Sequence, residues 1–264
     1  MTQTDHSGNR IVAPSKTERL LNRRATLRLI GGAGATALVG LSDSGKGRLG
    51  DDAHAAALLT PAQIPCVVRP SQTEGPFFVD ERLERSDIRT DPMTNMVKPG
   101  VPLRLAMTVY RVDGSACTPL TGAYVDVWHC DALGLYSDVR DRSFDTRGQM
   151  FLRGYQITDQ NGHVEFITIY PGWYSGRTVH IHFKVRLFAG TQRTFEFTSQ
   201  LYFDDAITDV VHAQPPYNTK GPRDTRNNRD GIYTQNNSGA QLLLNLNKCV
   251  EGYVATFDIG LRMS

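Results

Sequence analysis

The run His180-Ile181-His182-Phe183-Lys184-Val185-Arg186-Leu187 alternates polar and apolar positions without a break. Period two is the mark of a strand with one apolar and one polar face. Ile181, Phe183, Val185 and Leu187 are expected to face a core, while His180 and His182 share the opposite face, about 6–7 Å apart along it. The same alternation sets Leu103, Leu105, Met107 and Val109 against Arg104, Ala106, Thr108 and Tyr110, which predicts a second half-buried strand. Residues 123–128 are β-branched and aromatic and predict a third. Residues 151–158, 163–169, 194–203 and 253–261 read as further strands. Asp159-Gln160-Asn161-Gly162 separates two of these runs, and Asn-Gly in that setting predicts a hairpin. Helical periodicity is almost absent. Leu242 to Leu246 is expected to form a short helical turn, and the polar, Pro/Asn/Gly-rich residues 204–240 a long loop. Short strands with turn residues between them predict an all-β fold with a single β-sandwich-type core domain over residues 101–264.

Ahead of that core the pattern breaks. Residues 56–100 are irregular and Pro-rich and are expected to be an arm laid over the core. Within them, Thr73-Glu74-Gly75-Pro76-Phe77-Phe78 sets two aromatics behind a Gly-Pro turn, a segment suited to packing on an apolar surface. Residues 1–55 differ again. Asn22-Arg23-Arg24-Ala25-Thr26-Leu27-Arg28 precedes a short Gly/Ala-rich apolar run, and Ala53-His54-Ala55 follows. A basic region, a short apolar region and an A-x-A site predict an export signal, with the paired arginines of the twin-arginine type. Asn22 and Thr26 depart from that type's usual residues, and residues 42–55 are long for a cleavage region. The expected destination is periplasmic or extracellular. Gly31-Gly32-Ala33-Gly34 has no strand before it and so does not read as a nucleotide loop.

Removing that segment changes the charge. Residues 1–55 carry 8 of the 29 Lys+Arg and 5 of the 27 Asp+Glu, so the remainder holds 21 against 22, a net charge of −1. That balance offers no footprint for nucleic acid. No run reaches the roughly 20 apolar residues that span a bilayer, so no stable membrane anchor is expected; self-association is left open. The 4 cysteines, Cys66, Cys117, Cys130 and Cys249, fit no zinc spacing. In an oxidising compartment they permit two disulfides in three connectivities. Pairing of Cys117 with Cys130 and of Cys66 with Cys249 is the expectation, against four buried thiols.

Two histidines on one strand face can converge on a metal ion, but alone they equally describe a polar face that happens to carry them. The remaining motifs decide between the two. Thr73-Glu74-Gly75-Pro76, Val125-Asp126-Val127-Trp128, Gly134-Leu135-Tyr136-Ser137, Pro171-Gly172-Trp173-Tyr174, Arg177 with His180-Ile181-His182-Phe183, and Gln200-Leu201-Tyr202-Phe203 follow one another in that order. Together they resemble the intradiol ring-cleavage dioxygenases, the group of catechol 1,2-dioxygenase and protocatechuate 3,4-dioxygenase, over roughly residues 70–203.

The resemblance implies one non-haem Fe(III) held by Tyr136, Tyr174, His180 and His182. Phenolate is a hard anionic donor that suits a trivalent ion, and imidazole accepts iron readily. It also implies that dioxygen cleaves a catechol-type ring to a cis,cis-muconate-type diacid. In the family's pattern Tyr174 gives up its place and acts as base, and Arg177 stabilises charge developing on the ring. Gln200 is expected to orient substrate or the groups around it, and Gly75 and Pro76 to form a pocket wall. His129 is expected not to ligate. Only five residues separate Tyr174 from His180, fewer than in the cytoplasmic enzymes, so a more open site and bulkier plant- or lignin-derived catechols are expected. The alternative is a non-catalytic exported β-sandwich that binds polyphenols or a surface partner.

Overall fold

The computed structural model describes residues 66–263, so the export signal expected over residues 1–55 lies outside the described residues. Among the described residues nine strands form two sheets that face each other. β1 (Pro102–Asp113) is the spine of the first sheet. β2 (Ala116–Pro119) and β5 (His163–Ile169) pair antiparallel along one side of it. β9 (Tyr253–Arg262) pairs parallel along the other and carries β8 (Asn245–Lys248) at its far edge. The second sheet has the order β4 (Arg153–Ile157), β3 (Tyr124–Trp128), β6 (His180–Ala189), β7 (Gln192–Tyr202), all antiparallel. The β-sandwich is therefore the observed fold.

Leu103, Leu105, Met107 and Val109 of β1 are buried, as their alternation requires, and meet Val125, Val127, Ile181, Phe183 and Val185 of the other sheet. Phe183 reaches Phe257 on β9, ring centroids 6.3 Å apart. Each such side chain contributes about 1.5–3 kcal/mol by leaving water, and together they hold β6 rigidly on its inner face.

The outer face of β6 is where the structure departs from a half-exposed strand. His180, His182, Lys184 and Arg186 are all buried. The arm covers them. Gln72 N donates to Thr198 O at 3.0 Å, Glu74 pairs with Lys184, and Asp80 with Arg186 at 2.7 Å. Phe78 packs edge-on against Trp128, centroids 4.8 Å apart. Alternation predicts which side chains share a face, not whether distant chain returns to cover that face.

Four other expectations are corrected. Asn161-Gly162 does not close a hairpin, because β4 belongs to one sheet and β5 to the other. Its turn carries the chain across the sandwich: Gly162 N donates to Asp159 O, and its own carbonyl accepts from Val109 N on β1. Gly162 has φ +73°, and a Cβ there would lie 2.3 Å from Val109 O, so glycine is needed for the close crossing. Residues 204–240 are not one loop. α1 (Asp205–His212) is capped by Asp204, whose carboxylate accepts from Ala206 N and Ile207 N. A four-residue helix, α2 (Gly231–Thr234), is capped in the same way by Asp230. Helical turn occupies Gly239–Leu242, and the chain from Asn245 is strand. Finally, the disulfide joins Cys66 to Cys117, Cα atoms 5.9 Å apart. Cys130 is a buried free thiol and Cys249 an exposed one. The reason is topological. Val68 bridges to Gly260 on β9, which delivers Cys66 to the sheet containing β2, whereas Cys130 follows β3 in the opposite sheet.

Candidate metal centre

β6 supplies the first two donors. His180 Nδ1 donates to the Thr178 carbonyl at 2.6 Å, which leaves Nε2 as a bare acceptor. His182 Nε2 lies 3.0 Å from it. The His182 ring stacks on Trp128 at 4.9 Å, with an interplanar angle of 10°. Gly75 lies near its Cε1 edge. A Cβ on Gly75 would stand 3.3 Å from His182 Cε1, and φ there is +72°.

Tyr136 comes from the loop after β3. Asp131 Oδ1 accepts from Leu133 N and Leu135 N, both at 3.0 Å, and fixes the loop's turn. Thr146 Oγ1 donates to Tyr136 O at 2.5 Å, and the buried Arg153 donates through Nε to Ser137 Oγ at 2.7 Å. Phe77 of the arm stacks on the Tyr136 ring at 4.6 Å. The ring is thus buried and held on every side, with its hydroxyl 3.4 Å from His180 Nε2.

Tyr174 follows Pro171-Gly172-Trp173, where Gly172 N donates to Asp131 O at 3.1 Å and Lys220 Nζ to Trp173 O at 2.6 Å. Its hydroxyl is 3.2 Å from His180 Nε2, and its ring is edge-on to Tyr136 at 5.7 Å. Tyr174 is half-buried and lines a cleft of 760 Å³. Gly75, Pro76, Phe77 and Arg177 line the same cleft. That volume is within the range of small-molecule sites.

These four donor atoms suit a cation. Burial, reinforced by Arg177, holds His180 down to about 3. Burial and the neighbouring His180 hold His182 well below its ordinary value. Both imidazoles are then neutral at neutral pH, as ligation requires. Burial lifts the Tyr136 phenol well above its ordinary value and the Tyr174 phenol up to about 12, with Arg177 opposing the rise at Tyr174. A strong local positive charge is what would ionise them. His182 Nδ1 is buried without a partner among the described residues. No group of three or more His, Cys, Asp or Glu is gathered among the described residues, so the two phenols are indispensable to the donor set. The residues present therefore fit a hard trivalent ion.

Arg177 is held from two directions. Nε donates to Asp230 at 2.8 Å and Nη2 to Gln200 Oε1 at 2.6 Å. Gln200 is completely buried, and its Nε2 donates to Thr73 O at 2.9 Å. Its amide holds Arg177 and the arm; it is absent from the cleft lining. Both nitrogens of His129 are engaged, Nδ1 with Cys130 O at 2.8 Å and Nε2 with Thr168 Oγ1 at 2.7 Å. The structure thus brings Tyr136, Tyr174, His180, His182, Arg177, Gly75 and Pro76 together and puts Gln200 behind Arg177. Sequence reasoning missed Asp230, and also Thr178, Trp128 and Phe77 as supports. An Asp directly before Gly231-Ile232-Tyr233 is an N-cap signal, but nothing near it in sequence points to Arg177.

A family model described as Dioxygenase matches residues 73–215, more than half of the chain. Chlorocatechol 1,2-dioxygenase of Rhodococcus opacus is 32% identical over 154 residues, 51% of this chain and 56% of that protein. The chain thus spans little more than half the length of the curated relatives it matches. Among solved structures, an intradiol ring-cleavage dioxygenase from Tetranychus urticae superposes with a TM-score of 0.62 at 29% identity, covering 75% of this chain and 95% of that one. The dioxygenase domain of a dioxygenase carbohydrate-binding protein fusion from the cellulolytic bacterium Streptomyces sp. SirexAA-E gives 0.51 at 30% identity, covering 75% and 100%. Motif order, sandwich and matched segment agree: the chain belongs to the intradiol ring-cleavage dioxygenase family.

Proposed function

We propose that this protein cleaves a catechol-type ring between its two hydroxyl-bearing carbons with dioxygen, yielding a muconate-type diacid. In this reading Tyr136, Tyr174, His180 and His182 hold one non-haem ferric ion. The observation that carries it is the convergence of three donor atoms within 3.0–3.4 Å of His180 Nε2, one of them the Tyr174 hydroxyl, whose residue lines a cleft wide enough for an aromatic ring. When bound, the ferric ion supplies the Lewis acidity that ionises the catechol and opens its ring to dioxygen.

The chain's own residues divide the remaining work. Tyr136 is fully buried and clamped, so it stays in place. Tyr174 lies at the cleft and can give way; its Oη is the atom that accepts a catechol hydroxyl proton. Arg177, charged at every working pH, faces the same cleft and stabilises negative charge that develops on the ring. Phe77 and Trp128 keep water from the donors, which strengthens each of these interactions. Gly75 and Pro76 form the near wall.

The cleft is larger than a bare catechol needs. Catechols bearing a side chain, as released from plant material or lignin, are the substrate class proposed. Export of the mature chain after a signal over residues 1–55 belongs to the same proposal, and the N-terminal mass of secreted protein checks it. Oxygen uptake with catechol, protocatechuate, hydroxyquinol and caffeate, with identification of the products, tests the activity. Uptake with a ring-opened diacid product supports it, and turnover of free catechol alone would remove the side-chain class. Iron-loaded protein that consumes no oxygen with any of the four would overturn it.

A further inference from the structure

We infer that Asp230 is a positioning residue of the catechol site, setting the Arg177 guanidinium and the Thr178–His180 segment with one carboxylate. The inference rests on the proposed catechol chemistry.

Asp230 is fully buried. Its two oxygens face different tasks. Oδ1 accepts from Ile232 N at 2.8 Å and Tyr233 N at 3.0 Å, which caps α2. Oδ2 accepts from Arg177 Nε and from Thr178 N, both at 2.8 Å. A cap needs only the first oxygen. The second is turned toward the site. Arg177 Nη2 is fixed separately by Gln200 Oε1 at 2.6 Å, so two anchors on different nitrogens set the guanidinium plane. Thr178 is held at a second point as well, its Oγ1 donating to Asn227 Oδ1 at 2.6 Å. The carbonyl of that same residue accepts from His180 Nδ1 at 2.6 Å and so sets the imidazole's direction. The segment from Asn227 to Asp230 therefore braces both the Arg177 guanidinium and the imidazole of one donor, His180. Arg177 is only 16% exposed, so without Asp230 its charge would lack its nearest counter-ion in a largely dry setting.

Four variants separate this role from simple capping, with Arg177→Gln alone as the reference for the double substitution. Asp230→Asn keeps the shape and removes the charge. Asp230→Ser keeps a good cap and removes the second oxygen. Arg177→Gln/Asp230→Asn removes both charges and leaves no buried ion unpaired. Each is compared with wild type for iron content, the ferric–phenolate band without substrate, urea unfolding, and kcat and KM per iron. Losses of about 10–100-fold are typical when a supporting partner of this kind is removed. Asp230→Asn and Asp230→Ser are expected to fall by that much in kcat, with KM changing far less and the band displaced. In the Arg177→Gln background Asp230→Asn is expected to cost clearly less than it does alone, the remainder coming through the Thr178–His180 segment. If Asp230→Ser is folded, iron-loaded and as active as wild type, capping is its whole role and the inference falls. If the losses with Arg177→Gln are instead additive, Asp230 does not act through Arg177 and the inference also falls. Wild type without a band or activity would overturn the catechol reading itself, a separate result.

Discussion

His129 provides the clearest quantitative test of the fold's electrostatics. It is buried, and burial holds it down to about 4 from 6.5, outweighing the Cys130 carbonyl and Asp131. Above pH 6.5 both folded and unfolded chains carry it neutral, and it adds no pH dependence. Below 6.5 the unfolded chain takes up a proton that the folded chain refuses. Stability is therefore lost as pH falls from about 6.5 to about 4. At about 1.36 kcal/mol per pH unit, that window amounts to about 3 kcal/mol. This is a large share of a domain's usual stability of about 5–15 kcal/mol. Urea unfolding of wild type and His129→Gln at pH 7, 6, 5 and 4 measures it. At pH 7 the variant is expected to be less stable by about 1–2 kcal/mol, for the lost bonds to Cys130 O and Thr168 Oγ1. Toward pH 4 the gap should close and reverse. His180 and His182 titrate in the same direction in iron-free protein, and Asp126 in the opposite one; all three are present in both proteins, so the difference reports His129 together with its coupling to the two other histidines. Parallel stability curves would refute the claim that His129 is the group excluding the proton.

Three further outcomes follow from packing and topology. The Cys66–Cys117 bridge closes a separation of 51 residues, so its loss by Cys66→Ser/Cys117→Ser is expected to cost about 4 kcal/mol, measured by urea unfolding; thiol titration of native wild type should find one reactive group, Cys249, with Cys130 reacting only after unfolding. Gly75→Ala puts a side chain at φ +72° and a Cβ 3.3 Å from His182 Cε1, so it should cost about 1–2 kcal/mol of stability and displace the ferric band; unchanged stability and band would show that the arm yields freely at that point.

The sandwich was legible because β1 and β6 alternate cleanly and β3 is β-branched and aromatic, and alternation is enforced wherever one face meets a core. What was not legible depends on distant chain. Nothing within β6 tells that Glu74 and Asp80 return to cover Lys184 and Arg186. Asn161-Gly162 marks a turn correctly, but a turn's local chemistry does not say whether the next strand joins the same sheet. β8 has a single half-buried position at Leu246 and three exposed ones, too little pattern to read. Cysteine pairing followed sheet membership, which spacing does not encode. At the site, the two histidines were visible as a pair, but Tyr136 lies 44 residues from His180 and entered only through the order of motifs. Asp230, 53 residues beyond Arg177, carried only the signal of a helix cap, because one of its oxygens is indeed a cap.

In the proposed function Tyr136, Tyr174, His180 and His182 hold one ferric ion. Loading the protein with iron, measuring the metal stoichiometry and recording the visible spectrum of wild type and Tyr136→Phe tests it most directly. One ferric ion per chain is expected, with a phenolate-to-iron charge-transfer band that shifts when a catechol is added and is weakened or abolished in Tyr136→Phe. A colourless wild type, or a band that Tyr136→Phe leaves untouched, would contradict the assignment.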